Sequence, residues 1–132
     1  MKKVLIICNG NSCRSIMAEA LINKYFNDIK AFSAGIKPIG KVNPNAKKVL
    51  KENGCWDEKY HSKCLNEILD IDFDLVVTVC DQAKQSCPSF SLSVKKIHIG
   101  FEDPDKKTYD KFEEIYNNIK KELLPKVQEA LV

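Results

Sequence analysis

The chain has 132 residues, of which 44% are hydrophobic and 30% are charged, a balance typical of one soluble globular domain. Its net charge of +3 is small and its lysines are interleaved with acidic residues, so the composition does not favour nucleic acid as a partner. No run approaches the roughly 18 apolar residues of a membrane span and no secretory leader is visible, which predicts a cytoplasmic, single-domain protein over 1–132 with no membrane partner.

Short apolar runs alternate with helical patterns along the chain. The first run is followed by apolar residues at Met17, Leu21 and Tyr25, which is helical spacing. The predicted strands are 3–7, 30–33, 74–79 and 95–99. The predicted helices are 15–25, 43–54, 62–69 and 108–132, and the last is expected to bend at Pro125.

This alternation predicts an α/β fold with a four-stranded parallel sheet flanked by helices and joined by right-handed crossovers. Active sites in such sheets lie beyond the carboxyl ends of the strands. Cys8, Cys80 and the loop after Ile99 all follow strand ends, so we expect them to share a site.

The stretch "CNGNSCRS", Cys8 to Ser15, joins the first strand to the first helix. Of the 21 basic side chains, 20 are lysine, and the only arginine is Arg14 in this loop. A loop of this kind, with Gly10 and small polar residues, can turn its backbone N–H groups inward, and the helix N-terminus adds positive potential. The sequence therefore predicts a cradle for a tetrahedral oxyanion.

Arginine supplies what lysine cannot, a planar and permanently charged fork that binds two oxyanion oxygens together. The same positive field is expected to lower the pKa of Cys8, which would make that thiol a thiolate nucleophile at neutral pH. The predicted oxyanion-binding residues are Asn9, Gly10, Asn11, Ser12, Cys13, Arg14 and Ser15.

Six cysteines are many for a chain of this size in a reduced compartment, and they indicate catalysis, redox chemistry or metal binding rather than structural disulfides. No C-x-x-C pair is present, so the sequence gives little support to zinc, and we expect neither a metal nor a cofactor. The six are Cys8, Cys13, Cys55, Cys64, Cys80 and Cys87.

Four segments resemble the low-molecular-weight tyrosine phosphatase superfamily and, within it, the thioredoxin-coupled arsenate reductases. They are "VLIICNGNSCRSIMAEAL", "FSAGIKP" with "VNPNAKKVLKENG", "DLVVTVCDQAKQSCP" and "VKKIHIGFEDPD", and they extend over nearly the whole chain. The resemblance implies that Cys8 attacks the oxyanion, Arg14 clamps it, Ser15 hydrogen-bonds the thiolate and Asp103 is the general acid.

The second half of the chain bears on which reaction follows. A hydrolytic phosphatase needs one cysteine and water, whereas arsenate reduction needs further thiols for two electrons. Cys80 and Cys87 lie seven residues apart, about 10 Å along a helix, while a disulfide needs Cα atoms within about 7 Å, so the pair can join only if the segment unwinds or loops. The resemblance implies that Cys80 attacks Cys8 to release arsenite, and that Cys87 attacks Cys80 to leave a redox-active Cys80–Cys87 disulfide for thioredoxin.

Two other functions are compatible with the sequence. Hydrolysis of phosphotyrosine or small aryl phosphates through a Cys8 phosphoenzyme is the second prediction. Phosphatases of this superfamily carry aromatic residues just after Asp-Pro, however, where "DPDKKTYD" has Asp105 and two lysines, and Tyr109 comes late. A non-catalytic redox or oxyanion sensor is a third. The sequence favours thioredoxin over glutaredoxin as the reductant through the spacing of the thiols, and we expect a monomer.

Some relatives bind potassium beside the anion loop. The residues that match their ligands here are Asn11, Glu19 and Ser33, but Lys63 stands where the relatives have an aspartate. A lysine ammonium could replace the charge of the ion, so we predict no potassium dependence. Cys13 is expected to be a spectator thiol, and no family role is assigned to Cys55 or Cys64.

Overall fold

A computed structural model describes residues 1–86 and 94–132 of the chain. The strands are β1 (Lys2–Cys8), β2 (Ile29–Gly35), β3 (Leu75–Thr78) and β4 (Lys95–His98). The helices are α1 (Arg14–Tyr25), α2 (Pro44–Glu52), α3 (Asp81–Ser86) and α4 (Tyr109–Ala130). The strands form one sheet in the order β2-β1-β3-β4, and every pair is parallel. The predicted four-stranded parallel α/β fold is confirmed.

The register of the strands brings their carboxyl ends to one edge of the sheet. Cys8 pairs with Gly35 across β1 and β2, and Ile7 pairs with Thr78 across β1 and β3. Thr78 in turn pairs with His98 on β4. Because all four strands end at this edge of the sheet, the segments after Cys8, Thr78 and His98 meet there.

The core forms on both faces of the sheet. The apolar run of β1 is fully buried, as expected of a central parallel strand. Helix α1 is buried over residues 15–22, between the sheet and α4. Helix α4 presents a stripe of buried residues at helical spacing, namely Phe112, Ile115, Tyr116, Ile119, Leu123 and Val127.

Helix α4 continues through Pro125 to Ala130. Pro125 lies on the exposed side of the helix, where water can bond the carbonyl that proline leaves without a donor. Helix α2 begins as its sequence predicts, because the Asn43 side chain accepts a hydrogen bond from the N–H of Asn45 and Pro44 occupies the first turn. No helix in the described ranges is long and apolar enough to cross a membrane.

The predicted helix over 62–69 is wrong in extent. The structure has a single 3₁₀ turn there, Leu65–Glu67. Cys64 pairs with Gly35 as an isolated parallel bridge, and the amide of Gly35 donates to the carbonyl of Lys63 at 2.9 Å. These bonds hold residues 63–64 extended beside β2, so a helix cannot begin before residue 65.

Candidate active site

The anion loop, residues 8–15, is held from behind by the segment that follows β2. The amides of Ile36, Lys37 and Ile39 donate to the carbonyls of residues 8, 9 and 10 at 3.2, 2.9 and 2.9 Å. With the carbonyls of the loop engaged on that side, the N–H groups of residues 10–13 have no hydrogen-bond partner within the described chain. These N–H groups border a cavity of about 240 Å³. They form the kind of backbone cradle that binds anions.

The close approach of β2 to the loop depends on Gly35. A Cβ at this position would lie 2.8 Å from the carbonyl oxygen of Asn9 and 3.0 Å from the Cβ of Asn11. Any larger residue would therefore push the anion loop away from β2. Only glycine, which has no Cβ, fits at position 35 without displacing the loop.

Asn11 lies at the centre of the loop with a φ of 48°, a left-handed conformation that is unfavourable for most side chains. Its amide nitrogen donates to Ser15 Oγ at 2.7 Å and Ser33 Oγ at 3.0 Å, and its Oδ1 accepts from the N–H of Lys63 at 2.8 Å. All three bonds are buried, where an amide must be well paired. They fix the strained turn that points the loop amides inward.

The buried network ends in a carboxylate and an ammonium. Ser33 donates to Glu19 Oε1 at 2.5 Å, and Lys63 Nζ donates to the carbonyls of Ser33 and His61 at 2.9 and 3.0 Å. Burial raises the pKa of Glu19 and lowers that of Lys63, while each charge works against the shift of the other. The ammonium of Lys63 thus lies among the residues that match the potassium ligands of relatives.

Arg14 opens α1 and reaches across the cavity to the loop after β4. Its Nη1 donates to the carbonyl of Phe101 at 3.1 Å, and its Nη2 lies 3.5 Å from Asp103 Oδ2. Its Nε is buried and has no hydrogen-bond partner among the described residues. A buried guanidinium N–H without a partner is rare in native proteins. Together with the unpaired loop amides, it is the donor set that an oxyanion would satisfy.

Asp103 and Asp105 stand at the rim of the same cavity. The amide of Asp105 donates to Asp103 Oδ1 at 3.0 Å, and the side chain of Asn43 donates to Asp105 Oδ1 at 3.1 Å. Asp103 therefore has one oxygen fixed by its own loop and the other turned to Arg14. The rim also includes Lys37, Ile39 and Gln82, which the sequence did not single out, and the described lining has no aromatic ring.

Cys8 and Cys80 are brought into contact, as their strand-end positions predict. Cys8 is 3% exposed and Cys80 is 2% exposed, and the two thiols interact so that each shifts the pKa of the other. Neither takes part in a disulfide. Cys80 Sγ also accepts from the N–H of Asn9 at 3.2 Å and from that of Ala83 at 3.4 Å. Cys80 is thus joined both to the anion loop and to the first turn of α3.

The predicted lowering of the pKa of Cys8 is wrong for this arrangement. Its hydrogen bond to Cys80 and its burial raise the pKa of Cys8, and the nearby guanidinium of Arg14 only partly opposes them. The pKa of Cys80 falls to about 6, chiefly because its sulfur accepts the bond from Cys8, with further help from the N–H of Ala83 and from Arg14. The two thiols therefore titrate as a pair that shares one negative charge near neutral pH.

The remaining predicted residues take less direct positions. The hydroxyl of Ser15 contacts Asn11, and the structure records no bond from it to Cys8. Cys13 lines the cavity, but burial raises its pKa to about 11, which makes it a weak nucleophile. Cys87 lies outside the described residues. Within the described ranges, no three His, Cys, Asp or Glu side chains cluster as metal ligands would.

The site defines a class of protein: a parallel α/β domain with a cysteine, an oxyanion loop and an arginine between the first strand and the first helix. Consistent with this, the family model of the low molecular weight phosphotyrosine protein phosphatase matches residues 3–131. The chain belongs to that family, which confirms the resemblance found in its sequence.

Relatives within the family include proteins named arsenate reductase. Arsenate reductase 2 of Staphylococcus epidermidis is 40% identical over 120 residues, which cover 90% of this chain and 91% of that protein. The structure of an arsenate reductase from Archaeoglobus fulgidus superposes with a TM-score of 0.81 at 31% identity, over 95% of this chain and 98% of that one. A thioredoxin-dependent arsenate reductase of Corynebacterium glutamicum has a TM-score of 0.73 at 26% identity, over 98% of this chain and 63% of that one.

Proposed function

We propose that this chain reduces arsenate to arsenite through Cys8, Cys80 and Cys87, with thioredoxin as the electron donor. The observation that carries the proposal is the interaction of the Cys80 thiol with Cys8, which lines the oxyanion cavity. Hydrolysis of a phosphoenzyme does not use a second thiol at this place, whereas reduction does. The names of the relatives from Staphylococcus epidermidis and Archaeoglobus fulgidus support arsenate as the substrate.

Binding of the oxyanion is the first step. The N–H groups of residues 10–13 and the buried Nε of Arg14 would receive the oxygens of arsenate. A cavity of about 240 Å³ with polar walls suits a small tetrahedral anion. The contacts of Arg14 with Phe101 and Asp103 keep its guanidinium plane in place while Nε binds.

Nucleophilic attack requires the thiolate on Cys8, and the two adjacent thiols share one negative charge near neutral pH. Transfer of the Cys8 proton to Cys80 leaves the Cys8 thiolate facing the bound anion. Cys8 then attacks arsenic and displaces one oxygen, which leaves as water after protonation. Asp103, at the cavity rim, is the proposed donor of that proton.

Reduction occurs when the second thiol acts. The Cys80 thiolate, regenerated by loss of its proton, attacks the sulfur of Cys8, and the electron pair of the sulfur–arsenic bond goes to arsenic. Arsenic(V) becomes arsenic(III) and leaves as arsenite, while the two cysteines become a disulfide. The interaction between these two thiols supports this step, because attacker and target are already adjacent.

The last step exchanges the Cys8–Cys80 disulfide for a disulfide between Cys80 and Cys87. Cys87 attacks Cys80 and frees the Cys8 thiolate, and thioredoxin reduces the resulting Cys80–Cys87 disulfide. Seven residues of a continuous helix span about 10 Å along its axis, too far for a disulfide, so we expect the segment between Cys80 and Cys87 to unwind or loop when the bond forms. The thioredoxin-dependent relative from Corynebacterium glutamicum supports this choice of donor.

Hydrolysis of aryl phosphates is the second candidate function. The match to the phosphotyrosine phosphatase model favours it, and Cys8, Arg14 and Asp103 would suffice for it. The described rim has no aromatic side chain to hold a phenyl ring, and it carries Asp105, whose charge disfavours an acidic peptide. We therefore expect hydrolysis to be a slow side reaction.

The test compares the two reactions in one preparation. Purified protein is given arsenate with thioredoxin, thioredoxin reductase and NADPH, and separately a small aryl phosphate. Replacement of thioredoxin by glutaredoxin and glutathione is the matched control for the donor. We expect arsenate turnover with thioredoxin, and loss of both reactions in Cys8→Ser. Rapid aryl phosphate hydrolysis without arsenate reduction would overturn the proposal in favour of a phosphatase.

A further inference from the structure

His98 joins the two ends of the segment that carries Cys80. It is the last residue of β4, and its Nδ1 is 2.8 Å from Thr78 Oγ1, on the last residue of β3. Its Nε2 is 3.5 Å from Asp81 Oδ1, on the first residue of α3. One imidazole thus spans the turn from β3 to α3, with Thr78 before Cys80 and Asp81 after it.

The surroundings fix the imidazole in this position. A Cβ at Gly100 would lie 3.2 Å from His98 Nε2, so the ring lies directly over the backbone of the loop that follows β4. That loop is itself tied to β3, since the amides of Ile99 and Phe101 donate to the carbonyls of Thr78 and Val79. The tautomer with its proton on Nε2 lets the Thr78 hydroxyl donate to Nδ1 and turns the N–H of Nε2 toward the Asp81 carboxylate.

The position of Cys80 depends on the same turn. One of its two backbone donors is the N–H of Ala83 in α3, and its carbonyl accepts from the N–H of Lys84 at 3.1 Å. Anything that loosens the start of α3 therefore removes a donor from the Cys80 sulfur and moves it relative to Cys8. The proposed reaction needs α3 closed while Cys80 attacks Cys8, because the Ala83 N–H in α3 holds the Cys80 sulfur.

We infer that His98 is a positioning residue, which ties Asp81 to the sheet and holds α3 closed so that Cys80 stays against Cys8. The inference deepens the proposed function, and its effect on arsenite release rests on that function. Its effect on how often α3 opens is independent of the proposed function. Because Asp81 is largely exposed, the tie is a modest one, and its loss should raise opening about twofold to fivefold.

Two substitutions of His98 separate the two contacts of the ring. In His98→Asn the amide can replace Nδ1 and keep the bond to Thr78, but it is too short to reach Asp81. In His98→Gln the longer amide can replace Nε2 and reach Asp81. Asp81→Ala removes the other end of the tie from an exposed position, where the substitution does not threaten the fold. Gln85→Ala, an exposed change on the same helix, is the matched control.

The structural test is hydrogen exchange at the Lys84 amide in reduced protein. We expect exchange about twofold to fivefold faster in His98→Asn and in Asp81→Ala, no further increase in the double variant, and wild-type rates in His98→Gln and Gln85→Ala. Wild-type exchange in Asp81→Ala would overturn the inference, whatever the His98 variants do. If the two substitutions raised the exchange rate of the Lys84 amide additively in the double variant, the inference would also be overturned. Additive effects would show that His98 and Asp81 act independently and not through one contact.

The kinetic test measures the rate of the first arsenite released in a single turnover, beside hydrolysis of an aryl phosphate. We expect Asp81→Ala and His98→Asn to slow arsenite release about twofold to fivefold, with His98→Gln restoring it and hydrolysis unchanged throughout. Equal loss of both reactions would indicate a general structural defect and overturn the positioning role. If wild-type protein releases no arsenite, the proposed function fails while the exchange experiment still decides whether the tie exists.

Discussion

Replacement of Arg14 by lysine is the sharpest test of the oxyanion cradle. Two nitrogens of the guanidinium are engaged, Nη1 with the carbonyl of Phe101 and Nη2 with Asp103, while Nε is buried and has no hydrogen-bond partner among the described residues. A lysine ammonium can carry the charge but cannot keep the first two contacts and aim a donor at the anion in one plane. The variant therefore loses at least one charge-assisted hydrogen bond to the bound oxyanion and also its orientation.

The magnitude follows from the lost bonds. A hydrogen bond to a charged group is worth about 1.5–3 kcal/mol, and loss of one preorganised oxyanion donor lowers turnover by about 10²–10³. Arsenate reduction and aryl phosphate hydrolysis both begin with an oxyanion bound in the same loop. We therefore expect kcat/KM of Arg14→Lys to fall by about 10²–10³ for both reactions.

The assay measures both reactions in steady state, and thermal unfolding of the variant serves as the control for its fold. Ser12→Ala offers a matched comparison, since it removes a side-chain hydroxyl at the cavity but leaves the loop amides in place. Turnover of Arg14→Lys within about tenfold of wild type would refute the role of the oriented guanidinium donor, because a point charge would then suffice.

Three further outcomes follow from the geometry. Exchange of potassium for choline should leave the turnover of the wild type unchanged, whereas Lys63→Met should lower the free energy of unfolding by about 1–3 kcal/mol, because the buried carbonyl of Ser33 and the part-buried carbonyl of His61 lose their donor; a potassium requirement in the wild type would contradict this. Cys8→Ala should raise the pKa of Cys80 above its value of about 6, as measured by the pH dependence of its alkylation with peptide mapping; an unmoved profile would show that Cys8 does not set this pKa. Gly35→Ala should lower aryl phosphate hydrolysis by displacing the anion loop, since the added Cβ would lie 2.8 Å from a loop carbonyl; normal hydrolysis would show that the loop tolerates the shift.

Much of the fold follows from patterns visible in the sequence. The buried run of β1 and the alternation of strands with helices predict the parallel sheet, and Asn43-Pro44 marks the start of α2. The site was predictable to the extent that it depends on strand ends. Because the carboxyl ends of parallel strands share an edge, Cys8 and Cys80 could be placed together without any knowledge of the intervening chain.

The features that could not be predicted from the sequence depend on contacts between residues that are far apart in the chain. The pKa of Cys8 was predicted from the local loop and helix alone, yet the dominant influence is the sulfur of Cys80, 72 positions later. Similarly, a pattern that is compatible with a helix at 62–69 yields to the parallel bridge between Gly35 and Cys64. The tie from His98 to Asp81 also has no local signature, since it arises from the register of β3 and β4.

The central claim is a relay in which each cysteine performs one step, and single-turnover stoichiometry tests it most directly. Reduced Cys80→Ser and Cys87→Ser proteins are mixed with excess arsenate without a reductant, and arsenite is counted per protein, with the unaltered chain as reference. The relay predicts about one arsenite from Cys87→Ser, which stops at the Cys8–Cys80 disulfide, and essentially none from Cys80→Ser, while both variants keep aryl phosphate hydrolysis. Sustained thioredoxin-driven arsenate turnover in both variants would contradict it.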